Sequence, residues 1–251
     1  NRISFFDQRG THSLEWRPAD ESCSFRHFSS GQIQKCMAQE GITNMIIGGD
    51  SVMGGLSAVM KWMVGVNLEA DSWYNPRDKG TDRVVASSDA KLTSPAGHKL
   101  SISGMYNNLH DISGSLRSIE KTASIPSVYI INFHVQHKMW GMSVKELAHA
   151  SYTFFREFRK LNSSAKIHPK SKFIFFNAMS VVGFREPYVT TPRAEVFSHL
   201  IAAEAKRSGW HVVDAFNMTL LRPDLSDDGM HFGDRMNYMF AQMIFNIVCR
   251  V

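Results

Sequence analysis

The chain has 251 residues, 43% of them apolar, with 28 Lys and Arg against 23 Asp and Glu and a formal charge of +5. A chain of this length can bury a full hydrophobic core without metal or disulfide staples, and its composition excludes coiled coil, collagen and intrinsic disorder. The longest apolar stretches, residues 128–131 and 243–248, fall far short of the roughly 18–20 residues of a membrane-spanning helix. The densest basic run, Lys160, Lys166, Lys170 and Lys172, lacks interleaved aromatics and reads as a solvated loop rather than a nucleic-acid groove. The chain opens at Asn1 instead of Met, which points to a processed or trimmed segment.

In chain order, residues 1–40 mix Trp, Pro, Cys, Ser and charged groups without sustained periodicity, and read as an extended arm over one domain spanning 1–251. Cys23 and Cys36 enclose a short polar loop, where either a disulfide formed in an oxidising compartment or two inert thiols would fit. With Cys249 they show no C-x-x-C pair and no zinc-like spacing. Residues 43–47 form an apolar run that ends in Gly48-Gly49-Asp50-Ser51, and apolar residues at helical spacing follow over 54–64, so the pattern is strand, tight turn, helix. Residues 70–125 are polar, with short strand candidates at 83–86 and 99–103.

From residue 127 alternation is plain. A buried strand at 128–133 precedes an amphipathic helix at 143–161 opened by a Ser143/Glu146 capping box. A strand follows at 172–176, then a helix from Thr191 and Pro192 to Ser208 with Gly209 as its stop. A strand at 210–215, a polar loop at 224–233 and a helix at 235–248 complete the chain. Strands alternating with helices of this length imply a three-layer α/β/α sandwich around a mostly parallel sheet, whose reactive groups gather beyond the carboxyl ends of the strands.

Three loops at that end can carry chemistry. Ser51 follows a buried strand and precedes a helix, whose N-terminus offers backbone N–H groups to a developing oxyanion, although Ser is also a common cap. Asp228-Gly229-Met230-His231 supplies a histidine and, three residues earlier, a carboxylate able to orient it, the pairing a serine nucleophile needs. In the third loop, Gln136 can donate to an oxyanion and His137 can line an acceptor pocket. His134, His137 and His231 could instead hold zinc, but no carboxylate lies in the third loop. Asn162-Ser163-Ser164 and Asn217-Met218-Thr219 are glycosylation sequons, usable only in a secretory lumen.

The order Trp16-x-Pro18, Cys23, Cys36, Gly49-Asp50-Ser51, Gln136-His137 and Asp228-Gly229-Met230-His231 resembles the SGNH/GDSL hydrolase superfamily. Within it, the sequence is most similar to the PC-esterase-like branch: neurexophilin and PC-esterase domain proteins, the luminal domain of sialic acid O-acetyltransferase and the trichome-birefringence-like polysaccharide O-acetyltransferases. The resemblance implies Ser51 as nucleophile, His231 as base and Asp228 as its partner. It also implies O-acetyl transfer on a glycan in the Golgi lumen or outside the cell, with no resident cofactor and the acyl donor as a substrate. Esterase activity with the same residues, or a non-catalytic glycan- or protein-binding role, are the alternatives. Nucleic acid and membrane contact by this segment are not expected. Many members of that branch carry Arg three positions after the nucleophile, where this chain has Gly54. The Gly54-Gly55 turn, the Ser51 amide and Gln136 would then form the oxyanion site, with Gly104 as a further candidate.

Overall fold

The computed structural model describes residues 3–5, 14–16, 25–66, 89–105, 112–133, 141–181, 189–226 and 228–249. Eight strands occur among them: β1 (Ile3–Phe5), β2 (Leu14–Trp16), β3 (Asn44–Gly48), β4 (Ala90–Thr93), β5 (Lys99–Met105), β6 (Ser127–Ile131), β7 (Lys172–Phe176) and β8 (His211–Val213). The helices are α1 (Ser30–Glu40), α2 (Ser51–Met63), α3 (Ile112–Thr122), α4 (Val144–Ser163), α5 (Thr191–Arg207), α6 (Ala215–Leu220) and α7 (Asp234–Val248). β1 and β2 form a separate antiparallel ribbon.

The other six strands make one sheet in the order β4-β5-β3-β6-β7-β8. All its pairings are parallel except that of the edge strand β4 with β5. β3 is first in sequence among the parallel strands yet lies between β5 and β6, so successive crossovers leave it in opposite directions. This is the switch point at which open α/β sheets form a crevice.

Burial on both faces explains why these strands read as continuous apolar runs rather than alternating ones. Met45, Ile47, Val128, Ile130, Ile174 and Phe176 point to one layer, packed with side chains of α1, α2 and α7. Ile46, Tyr129, Ile131, Phe173 and Phe175 point to the other, packed with α3, α4 and α5. There Phe133, Phe154, Phe155, Phe158 and Phe173 surround Trp210 with ring centroids 5.1–5.9 Å from it.

Two expectations need correction. The extended arm gives way at Ser30, where residues 30–40 form a helix with a Ser29/Gln32 capping box and a left-handed Gly41 stop. Its buried stripe is only Ile33, Cys36 and Met37, too sparse to stand out among polar neighbours. Cys36 is bonded to Cys249, not Cys23: α1 and the end of α7 lie in the same layer, which brings Cα atoms 213 positions apart in sequence to 5.7 Å. Cys23 lies outside the described residues, as do the strand candidate at 83–86 and residues 1–2, 6–13 and 17–24 of the arm. The chain ahead of α1 is bound to α7 by two side chains one turn apart. The Gln242 amide meets the N–H and C=O of Phe28, and the Asn246 amide those of Arg26.

Candidate active site

β3 ends at Gly48 and the chain reverses into α2 within two residues. Gly49 has φ +155°, and a Cβ there would collide with the Asn132 side chain and Met53, so the turn closes only around glycine. Asp50 caps α2: its Oδ1 accepts from Val52 N–H at 3.2 Å and from Asn132 Nδ2 at 3.3 Å. Asn132 is fully buried at the end of β6, and its own N–H donates to Gly48 C=O at 3.0 Å. Asp50 and Asn132 thus tie the β3 turn to the neighbouring strand and present Ser51, half-buried, at the first position of α2. In the sequence, the sign of this second support is an asparagine that closes an otherwise apolar strand.

His231 comes from the loop before α7. The residues on either side of it are buried in opposite layers, Met230 against α5 and its neighbours and Phe232 against α1, α2 and α7. The loop therefore straddles the end of the sheet and holds the imidazole over the crevice. Ser226 Oγ donates to His231 C=O at 2.9 Å, and a bridge between Ser226 and Phe232 closes the base of the loop. Gly229, at φ +83°, provides the bend that lets Asp228 fold back on its own loop.

Consequently Ser51 Oγ lies 2.7 Å from His231 Nε2, and His231 Nδ1 lies 2.7 Å from Asp228 Oδ2. The other carboxylate oxygen, Asp228 Oδ1, accepts the N–H groups of Met230 and His231 at 2.8 and 2.7 Å. Burial would raise the Asp228 pKa, but the hydrogen bonds from the His231 ring and from these two amides outweigh it and hold the carboxyl well below its ordinary range. An ionised Asp228 fixes the proton of a neutral imidazole on Nδ1, leaving Nε2 to accept from the Ser51 hydroxyl. Residues 180 positions apart in the sequence thus share one hydrogen-bonded chain.

The remaining candidates are placed as follows. Gly54 is in the first turn of α2, exposed, with open space where a Cβ would be. Gly104 sits in β5 beside Ile47, one residue from the strand's end. Gln136, His137 and His134 fall outside the described residues. Among the described residues no three His, Cys, Asp or Glu side chains are placed to hold a metal ion. Asn162 and Asn217 are exposed, but Thr219 of the second sequon is buried, its hydroxyl bonded to Ala215 C=O.

The chain superposes on the lipase/acylhydrolase from Enterococcus faecalis with a TM-score of 0.51, covering 83% of this chain and 96% of that one at 13% identity. The fold is that of the SGNH hydrolases. The SGNH-type fold is equally apparent against the acetyl xylan esterase AlAXEase, with a TM-score of 0.51, 14% identity, and coverage of 82% of this chain and 100% of the esterase. No family model matches the chain, and no curated protein matches its sequence. Among the described residues no helix is long and apolar enough to cross a membrane.

Proposed function

We propose that the protein is a serine-dependent carbohydrate O-acylesterase or O-acyltransferase, acting on an O-acetyl group through an acyl-serine intermediate. The observation that carries this reading is the hydrogen-bonded chain Ser51–His231–Asp228 at the carboxyl end of a parallel sheet. Ser51 Oγ attacks the acyl carbonyl as its proton passes to His231 Nε2. The imidazolium so formed is stabilised by Asp228 and returns that proton to the departing sugar oxygen as the C–O bond breaks. Water or a second sugar hydroxyl then gives its proton to His231 and attacks the acyl-serine, releasing acetate or an acetylated acceptor and restoring Ser51. The oxyanion rests against the N-terminus of α2, where the helix dipole and the Ser51 N–H favour negative charge. Gln136, Gly104 and the Gly54 turn are the further proposed contributors.

Likeness to an acetyl xylan esterase supports the hydrolytic outcome, while transfer to a sugar follows from the resemblance to the PC-esterase-like branch. The Cys36–Cys249 disulfide supports an oxidising, secretory compartment. The test is reaction with a fluorophosphonate followed by intact-mass measurement. An adduct on Ser51 that is absent from Ser51→Ala, with release of acetate from acetylated xylan, is the expected result. A wild-type chain that stays unlabelled beside a reactive control hydrolase would overturn the reading in favour of a non-catalytic glycan-binding domain.

A further inference from the structure

The helix that carries Ser51 is closed on every side but one. Eight of the thirteen residues of α2 are buried, and those left open are Ser51, Gly54, Gly55, Ala58 and Trp62. At 3.6 residues per turn these five fall within an arc of about 100°, and Trp62 lies about 16 Å along the axis from Ser51. The open face of the helix is therefore one strip. Ser51 stands at one end and a 54% exposed indole at the other, and the α2 residues of the strip between them carry no side chain larger than a methyl.

At the far end the indole does not stand alone. The Trp62 ring lies 6.4 Å from Tyr238 of α7, which in turn stacks on His27 at 6.3 Å and 18°. All three rings have polar edges, and the Tyr238 hydroxyl accepts from Gln242 Nε2 at 2.9 Å. Midway along the strip, the Asn237 amide leans against Gly55 at a distance that excludes a Cβ. Its Nδ2 donates to Phe232 C=O, and its buried Oδ1 has no hydrogen-bond partner among the described residues. A shallow, open floor ending in amphipathic rings suits a ligand that lays one apolar face on an aromatic ring and keeps its hydroxyls in water. An acyl chain gains its free energy from enclosure, which Gly54, Gly55 and Ala58 do not provide.

We propose that the strip is a glycan groove, in which a pyranose ring stacks on the Trp62–Tyr238 pair and the saccharide runs over Gly54, Gly55 and Ala58 to place its acylated sugar at Ser51. This rests on the carbohydrate reading above and specifies which surface of the chain holds the polymer. The groove explains why Gly54 stands in the helix behind the serine where propensity disfavours it, whereas Gly55 makes room for the Asn237 amide.

The test compares wild type with Trp62→Ala, and with Ala58→Phe, which fills the floor without touching the serine or its partners. Two substrates, acetylated xylan and p-nitrophenyl acetate, give the ratio of kcat/KM values. Retardation in native gels containing acetylated xylan or acetylated pectin reports binding independently of turnover. Both variants should lower the polymer-to-small-ester ratio about tenfold through KM, and abolish retardation while thermal melting stays unchanged. An unchanged ratio and retardation, or a wild type retarded by neither polymer, overturns the groove. So does a loss that instead tracks acyl-chain length in p-nitrophenyl esters. Absence of small-ester turnover and of fluorophosphonate labelling would refute the catalytic reading, and the gels would still decide the groove.

Discussion

Replacing Asp228 with asparagine removes one charge and leaves the shape of the site almost intact, so its effect can be worked out from the contacts. Among the described residues, the wild-type carboxylate accepts hydrogen bonds from the imidazole and from two backbone N–H groups, three in all. An asparagine keeps its carbonyl oxygen on the two amides and turns its NH2 toward His231 Nδ1. The imidazole must then accept there and carry its proton on Nε2, where it opposes the Ser51 hydroxyl instead of accepting from it. Turnover of p-nitrophenyl acetate should fall on the order of 10⁴-fold, the size of loss expected when a triad histidine is held in the wrong tautomer. Stability should fall by about 2 kcal/mol at pH 7, because three charge-assisted bonds become neutral ones.

The pH dependence has a definite sign. Folding lowers the pKa of Asp228 from its ordinary 3.8, so the carboxylate stabilises the native state above that value and loses this contribution as pH falls through its lower folded value. In urea melts the gap between wild type and Asp228→Asn should therefore be widest at neutral pH and close progressively below about pH 4. A variant with wild-type turnover, or a stability gap that widens on acidification, would show that Asp228 does not orient His231.

Gly49→Ala should destabilise the fold by about 3 kcal/mol, since its Cβ collides with Asn132 and Met53 at an unfavourable φ; chemical denaturation measures this, and a wild-type midpoint would refute it. Breaking the disulfide with Cys249→Ser should cost about 3–5 kcal/mol in guanidinium melts, given the 213-residue separation, whereas Cys23→Ser should leave the Cys36–Cys249 linkage intact in peptide mapping. Gly54→Arg should raise stability by about 0.5–1 kcal/mol, because its position is helical and open; a lower Tm would mean that the first turn of α2 is tighter than its surroundings show.

Local patterning was sufficient for most of the regular structure from β6 onward. The all-apolar runs of β6 and β7, the Ser143/Glu146 box that opens α4 and the Thr-Pro start of α5 each act through interactions within a few residues. Elements that owe their existence to packing were not legible: α1 has three buried residues, β4 alternates half-buried and exposed positions at an edge, and α3 lies in a polar region. The serine and the Asp228–His231 pair could be picked out by residue type and by the strand or loop before them. What joined them was the sheet order, which seats β3 at the switch point, and the loop anchored by Met230 in one layer and Phe232 in the other. The same distinction separates the disulfides. Proximity in sequence suggested Cys23 with Cys36, but a bond requires proximity in space, which the packing of α1 beside the end of α7 gives to Cys36 and Cys249.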